Sequence, residues 1–468
     1  MPKQTIDVAV IGAGSAGFSA AITAADMGAS VALIGHGVIG GTCVNVGCVP
    51  SKALIRAAEA VHGGIAARRF AGVEAESRLT DWSALLAAKD ALVSDLRQKK
   101  YADLLPDWPG IRYLPARAHF AGEHLMVDDQ PLSAGKIIIA TGARAAVPPI
   151  PGLAHVSWLD SAAALDLPTL PKSLAIIGGG VIGCELGQMF ARLGVAVTIC
   201  CRSRLLPELD PEISAALQSC LEAEGIRILC GANYRHVAAD AEGVILSLTD
   251  DTGAPATLRA ERLLVATGRR PNSDGLGLEP RGIALAPGGR VLVDDHLETS
   301  VPGVYAAGDV TGRDLYVYMA AYGGKLAARN AVAGNQHLYS SAAMPAVVFT
   351  DPQVASVGLT ESDARGEGLA ITTSTLPLDQ LPRALAARDT RGMIKLVAEA
   401  ETGRLLGGQI LAPESADTVQ TLALAIRHSM TAAELGDTIM PYLTTVEGLK
   451  LAAQGFARDV RKLSCCAG

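Results

Sequence analysis

Four of the nine cysteines stand in two pairs at opposite ends of the chain. Cys43 and Cys48 lie within Gly40-Gly41-Thr42-Cys43-Val44-Asn45-Val46-Gly47-Cys48-Val49-Pro50-Ser51-Lys52, and Cys465-Cys466 are adjacent near the C-terminus. Thiolates are nucleophiles and soft-metal ligands. A C-x4-C pair just behind a dinucleotide-binding unit reads as a redox-active disulfide supplied by a flavin. Adjacent thiols on a tail suit the capture of a soft metal ion. Together the pairs predict an enzyme that delivers electrons to a thiophilic metal. The plain alternatives are two cysteines buried on a packed helix and a frayed tail without function, though exposed paired thiols would then be a liability.

Two copies of one pattern would position this chemistry. The first predicts a strand at 7–11, then Gly12-x-Gly14-x-x-Gly17, a small-residue helix to Met27 and a strand at 30–34. The second, about 165 residues on, predicts a strand at 173–177, then Gly178-x-Gly180-x-x-Gly183, a helix to Leu193 and a strand at 196–200. Each is a βαβ start whose glycines allow a tight turn and let a pyrophosphate approach a helix N-terminus. A lone glycine motif is weak evidence; two in this context predict two dinucleotide sites. Ile137-Ile138-Ile139-Ala140-Thr141-Gly142 and Leu263-Leu264-Val265-Ala266-Thr267-Gly268 echo the duplication as buried strands ending at glycine turns. Pro148-Pro149-Ile150-Pro151-Gly152 reads as a stiff connector. Beyond about residue 340, strand-like stretches at 346–349, 394–398 and 407–412 precede amphipathic helices.

The fold class expected is therefore α/β: two Rossmann-like dinucleotide-binding domains, over 1–150 and 151–270, and a C-terminal α+β domain from 341 on. Hydrophobic residues at 49%, aromatics at only 4% and 50 glycines suit layers whose backbones approach closely. A net charge of -7 offers no footprint for nucleic acid or an anionic membrane. No apolar run is long enough to span a bilayer. With no export signal recognised, the cytoplasm is expected, where structural disulfides are rare. Cys184, Cys200, Cys201, Cys220 and Cys230 then read as buried filler.

The thiol segment must bend. Residues five apart on a helix lie about 7.5 Å apart along its axis, whereas a disulfide needs Cα atoms within about 7 Å. Gly47 is the expected break, with a regular helix over 52–61. Placement at a helix N-terminus is expected to lower a thiol's pKa.

Residues 40–52 resemble the active-site stretch of the flavoprotein disulfide reductases, and the resemblance extends over essentially the whole chain, including Tyr305-Ala306-Ala307-Gly308-Asp309. It implies FAD on the first unit, held through Gly12, Gly14, Gly17, Thr42, Lys52, Thr141, Gly142 and Asp309, the last matching the residue that holds the ribityl chain. It implies a nicotinamide nucleotide at Gly178, Gly180, Gly183 and Gly268. Cys48 would be the charge-transfer thiolate facing the flavin and Cys43 the outer interchange thiol. Lys52 and Glu185 match a pair near the flavin's reactive nitrogen. The resemblance also implies that 271–340 returns to the first unit, so that FAD lies on 1–150 with 271–340, NAD(P)H on 151–270, and 341–468 is a C-terminal α+β dimerisation domain with the tail; the family is homodimeric, the tail of one subunit serving the other's active site.

Two positions separate this chain from the family pattern or refine it. NAD specificity usually shows as an acid about 20 residues past the fingerprint; here Cys200-Cys201-Arg202-Ser203-Arg204 offers two guanidiniums, and Arg202 and Arg204 favour the 2′-phosphate of NADPH. In the first unit, Leu33-Ile34-Gly35-His36 lacks the acid that normally anchors the FAD ribose, leaving His36 or the backbone to substitute.

Members acting on organic disulfides carry His-Pro-Thr-x-x-Glu near the C-terminus. Here Pro441-Tyr442-Leu443-Thr444-Thr445-Val446-Glu447 puts Tyr442 where the histidine belongs and keeps Glu447. A phenol with a pKa near 10 is a poor proton shuttle at neutral pH. The tail Leu463-Ser464-Cys465-Cys466-Ala467-Gly468, the Pro441-Tyr442-Leu443 turn and residues 343–352 resemble those members of the family that reduce Hg(II). This implies that Cys465 and Cys466 take Hg(II) from thiol complexes and pass it to Cys43 and Cys48. Tyr101 and Tyr442 match tyrosines lining that metal site. Two rival readings remain: a general NAD(P)H-dependent disulfide reductase, and a mercury-sequestering thiol protein, which would leave two dinucleotide sites without a purpose.

Overall fold

The strand Ile6–Ile11 is apolar and buried almost throughout, as a central strand covered on both faces must be. In the computed structural model, which describes residues 6–250 and 252–459, it lies third in a five-stranded parallel sheet. The order is Val304–Ala306, Ala134–Ile139, Ile6–Ile11, Val31–Ile34 and Ile111–Leu114. Register places Val10 between Leu33 and Ile138, and Ile138 beside Tyr305. Each fully buried Leu or Ile side chain here contributes about 1.5–3 kcal/mol. These strands belong to one of the two compact units into which the described residues pack, residues 6–53, 83–146 and 268–341.

Besides Phe18, the helix Ser15–Asp26 buries only small residues, Ala16, Gly17, Ala20, Ala21 and Ala24. It packs closely on the helix Val317–Ala333, where a Cβ on Gly324 would sit 2.1 Å from the carbonyl oxygen of Ala16. Larger side chains would force the backbones apart.

The other unit comprises, of the described residues, 54–82, 147–250, 252–267 and 342–459. It holds a four-stranded parallel sheet in the order Arg227–Leu229, Ala196–Cys200, Ser173–Ile177, Arg262–Val265. It also holds a five-stranded antiparallel sheet in the order Pro345–Val348, Gln353–Gly358, Leu405–Ala412, Met393–Glu399, Ile371–Pro377, backed by the helices Ser415–Arg427 and Glu447–Gln454. The second and fifth of these strands are absent from the sequence expectation.

The duplication is geometric as well as textual. The helix Ser15–Asp26 ends at Gly28 (φ 86°), whose N–H donates to Ala25 O while Ala29 N–H donates to Ala24 O. The helix Val181–Arg192 ends at Gly194 (φ 95°), with Gly194 N–H on Ala191 O and Val195 N–H on Phe190 O. Both are left-handed glycine caps that satisfy otherwise orphaned carbonyls. Among the described residues, no helix is long and apolar enough to cross a membrane.

Candidate active site

The thiol segment is two helices with a glycine hinge. Gly41–Val46 is short, Gly47 (φ -125°, ψ -114°) breaks it, and Cys48–Ala67 follows. A Cβ at Gly47 would lie 2.9 Å from Thr42 O and 3.3 Å from Cys43 Cα, so the hinge has no room for a side chain. Cys43 and Cys48 thus each stand in the first turn of their helix, and Thr42 is exposed beside them.

This segment is stitched to the first glycine loop. Gly40 N–H donates to Ala13 O at 2.9 Å. Gly41 (φ 67°) approaches Gly14 so closely that an added Cβ would lie 2.6 Å from Gly14 Cα. Asn45 holds the turn from within: its Nδ2 donates to Ile39 O and Gly41 O at 2.9 and 2.8 Å, and its Oδ1 accepts from Arg97 Nη1 at 3.1 Å. Sequence reasoning missed Asn45 and Arg97, whose only signal was an amide inside the C-x4-C loop.

Cys43 departs from the expected low pKa. Its thiol is pushed above the ordinary range by its hydrogen bond with Cys48, then by burial and by electrostatic repulsion from Cys48. Lys52, four residues beyond Cys48 on the same helix, works in the opposite direction. A helix terminus helps one thiolate, but a second negative charge beside the first outweighs it.

Tyr101 reaches the same place from a π-helical turn, Gln98–Ala102, a distortion frequent at functional sites. Its ring stands edge-on to Phe18, with centroids 4.9 Å apart. Burial raises its pKa, a hydrogen bond with Ser15 opposes this, and Cys43 and Cys48 act on it electrostatically.

The neighbouring strand ends make a cradle that fits a dinucleotide. Gly12 (φ 118°) presses against Ala140, where a Cβ would meet the carbonyl oxygen at 2.2 Å, and a Cβ at Gly17 would lie 1.7 Å from Gly12 O. Gly14 precedes the helix Ser15–Asp26. Thr141 Oγ1 donates to Asn272 O at 2.7 Å, Asn272 Nδ2 donates to Thr141 O at 3.0 Å, and Asn272 N–H donates to Gly142 O. Asp309, in the turn Gly308–Thr311, has its carboxyl pushed up by burial and partly relieved by Arg269, whose Nε lies 3.4 Å away. Positive φ, close backbone approach and a largely buried acid are what FAD would require here.

At the position of the missing ribose anchor, a Cβ on Gly35 would lie 2.5 Å from Ala13 Cβ, so a side chain there would require the two loops to shift apart. His36 is exposed, and Tyr113 Oη donates to Gly35 O at 3.4 Å.

The second glycine loop repeats the first. A Cβ at Gly178 (φ 122°) would meet Ala266 O at 2.2 Å, and one at Gly183 would meet Gly178 O at 2.0 Å. Gly180 precedes the helix Val181–Arg192, and Gly268 (φ 109°) follows the strand Arg262–Val265. Arg202 is exposed. Arg204 turns one arm back, its Nη2 donating to Pro207 O and Leu209 O at 2.7 Å each. Glu185 is buried, and its Oε1 accepts from Phe349 N–H at 2.9 Å.

Tyr442 is half exposed, next to Leu443 in the left-handed region (φ 62°). Glu447 is buried, and its Oε2 accepts from Leu443 N–H at 3.1 Å, fixing this turn. Cys465 and Cys466 lie outside the described residues. Among the described residues, the one acidic cluster with metal-ligand spacing, Asp210, Glu212 and Glu361, is occupied by the buried Lys395 ammonium, which pairs with all three carboxylates.

Comparison with known proteins meets this geometry. The family described as pyridine nucleotide-disulphide oxidoreductase matches residues 6–333, and its dimerisation domain matches residues 344–453. The mercuric reductase of Streptomyces lividans is 46% identical over 99% of this chain and 98% of its own length. That of Shigella flexneri is 46% identical over 99% of this chain and 83% of its own length. Among solved structures, the Cu(II) complex of the HOCl-induced flavoprotein disulfide reductase RclA from Escherichia coli superposes with a TM-score of 0.85 at 30% identity, covering 97% of this chain and 100% of that one.

Proposed function

The chain belongs to the pyridine nucleotide-disulphide oxidoreductase family, and from that premise we propose that it is an NADPH-dependent flavoenzyme reducing Hg(II) to volatile Hg(0). The observation that carries the reading is the stitching of the Cys43–Cys48 loop onto the first glycine loop, through Gly40 N–H on Ala13 O and the Gly41–Gly14 approach. It sets two thiols beside the dinucleotide cradle.

FAD, when bound, would carry two electrons from the nicotinamide to the thiol–metal site. Gly12, Gly14, Gly17, Thr42, Thr141, Gly142 and Asp309 would hold it, with Lys52 and Glu185 near its reactive edge. Gly178, Gly180, Gly183 and Gly268 would hold NADPH. Arg202 would pair with its 2′-phosphate, and Arg204 would shape that loop through its Nη2 bonds to Pro207 O and Leu209 O.

Hg(II) arrives as a complex with small thiols. The tail thiols Cys465 and Cys466 of the partner subunit displace those ligands, and Cys43 and Cys48 then displace the tail. Tyr101 and Tyr442 line the route, and Glu447 positions Tyr442 by holding the Leu443 N–H. The assembly is a homodimer through residues 341–468, with FAD on 1–150 and 271–340 and NADPH on 151–270, working in the cytoplasm.

The test is NADPH oxidation with excess small thiol, with and without Hg(II), while mercury vapour is trapped. Metal-dependent oxidation matched by vapour is expected. Turnover with an organic disulfide and no dependence on mercury would assign the site to disulfide reduction instead.

A further inference from the structure

The five remaining cysteines are not uniform filler. Cys184, Cys200, Cys201 and Cys220 are buried, whereas Cys230 is half-buried. The strands Ala196–Cys200 and Arg227–Leu229 pair in parallel with Cys200 opposite Leu229. The chain continues in step: Cys201 N–H donates to Leu229 O at 2.9 Å and Ala232 N–H to Cys201 O at 2.9 Å. Cys201 and Cys230 therefore face each other, their sulfurs 3.5 Å apart, with Gln218 Oε1 accepting from the Cys230 thiol at 3.4 Å.

The separation selects what could bridge them. With thiolate–metal bonds of about 2.3 Å, a linear two-coordinate ion needs sulfurs about 4.6 Å apart, whereas a bent centre with an angle of about 100° needs about 3.5 Å. Among the described residues, no third His, Cys, Asp or Glu joins this pair in a metal-binding cluster, so a tetrahedral ion would lack its other ligands. A pyramidal centre that brings its own third substituent fits.

We propose that Cys201 and Cys230 form a second dithiol site, which takes a monosubstituted trivalent arsenical. The reaction is a condensation. In a hydrated arsine oxide, two As–O bonds break, two As–S bonds form, and the two thiol protons leave with the hydroxides as two waters. No oxidant is required. Burial raises the Cys201 pKa, which suits a reaction that consumes neutral thiol.

The site bears on nucleotide binding. A Cβ at Gly179 would lie 2.8 Å from Cys201 Cβ and 3.3 Å from its sulfur, and Arg202 follows directly. This consequence rests on the reading of that loop as the NADPH site, whereas capture itself does not.

The experiment uses the full-length holoenzyme with Cys43–Cys48 oxidised and the tail changed by Cys465→Ala/Cys466→Ala. It is treated with phenylarsine oxide, and the adduct is mapped by proteolysis and mass spectrometry. One equivalent bridging the peptides that carry Cys201 and Cys230 is expected, stable to a monothiol, released by 2,3-dimercaptopropanol and absent in Cys230→Ser and Cys230→Ala. The Kd for NADP+, measured by calorimetry, should rise at least tenfold in the adduct and remain unchanged in untreated Cys230→Ser. No retained arsenic, or retention equal in both variants, overturns the site. A mapped adduct with unaltered NADP+ affinity overturns the nucleotide reading and leaves capture standing.

Discussion

Replacing Gly41 by alanine tests the joint on which the proposed chemistry depends. Gly41 has φ 67° and would carry a Cβ 2.6 Å from Gly14 Cα, a backbone atom. Carbon atoms rest at about 3.5–4.0 Å, so the two loops must part by about 1 Å. A left-handed alanine costs about 1–2 kcal/mol, and overpacking adds about 1–3 kcal/mol. Gly37→Ala is the control, since its φ of 79° carries the same backbone strain with nothing within 4 Å of the added Cβ. A misplacement of about 1 Å at reacting groups costs on the order of 100-fold in rate. In the Hg(II)-dependent assay, with FAD content measured on each preparation, Gly41→Ala should lose about 100-fold in kcat or fail to retain FAD. Gly37→Ala should stay within a few-fold of the unaltered enzyme. If the two variants match in FAD content and kcat, the joint does not position the thiols.

Four further outcomes are expected. In the reduced protein, Cys48→Ser should shift the pH midpoint of Cys43 alkylation downward, because the hydrogen bond and repulsion that raise its pKa come from Cys48. In flavin-free protein, Asp309 has a raised pKa, so its contribution to stability is full below the ordinary carboxylate range and is lost as pH rises through the folded value; Asp309→Asn should flatten that loss in urea titrations and weaken FAD binding about tenfold or more, given about 1.5–3 kcal/mol for a charged hydrogen bond. Arg192→Met removes the guanidinium that joins Glu224 and Asp351 at 2.6 and 2.8 Å; Arg391 still pairs with both, so thermal unfolding should show a loss of about 1–3 kcal/mol. Arg202→Ala should raise KM for NADPH while leaving KM for NADH unchanged, the split expected of a 2′-phosphate contact.

The elements legible in the sequence are those whose cause is local. Both glycine motifs lie between a buried strand and a helix as expected, because a positive φ at Gly12 and Gly178 is a property of one residue in one turn. Gly47 as the break between the thiols followed from chain geometry alone. What escaped depends on residues distant in sequence. That Gly35 packs directly against Ala13, that Asn45 is tied to Arg97, and that Cys201 faces Cys230 are consequences of packing. The strands Gln353–Gly358 and Ile371–Pro377 were missed for a related reason: their places are set by antiparallel partners, not by a strong periodic signal of their own.

A tyrosine at position 442 is consistent with how protons must move in the proposed reaction. Reducing an organic disulfide requires a proton delivered to a leaving thiolate, and a histidine serves that purpose. Passing Hg(II) between dithiols is different. In the reduced pair the hydrogen bond with Cys48, burial and the repulsion of a second charge there all push the Cys43 thiol toward its protonated form. When the metal binds both sulfurs its charge removes that penalty, and the Cys43 proton is released as one tail thiolate departs. Both tail thiolates leave the donor pair, one taking up the Cys43 proton and the other carrying away the charge that Cys48 held, so the exchange balances without an added acid. Lys52, which lowers the Cys43 pKa, eases the release. A side chain at 442 then needs to shape the passage rather than to titrate, and a half-exposed phenol held by the Leu443–Glu447 turn can do that.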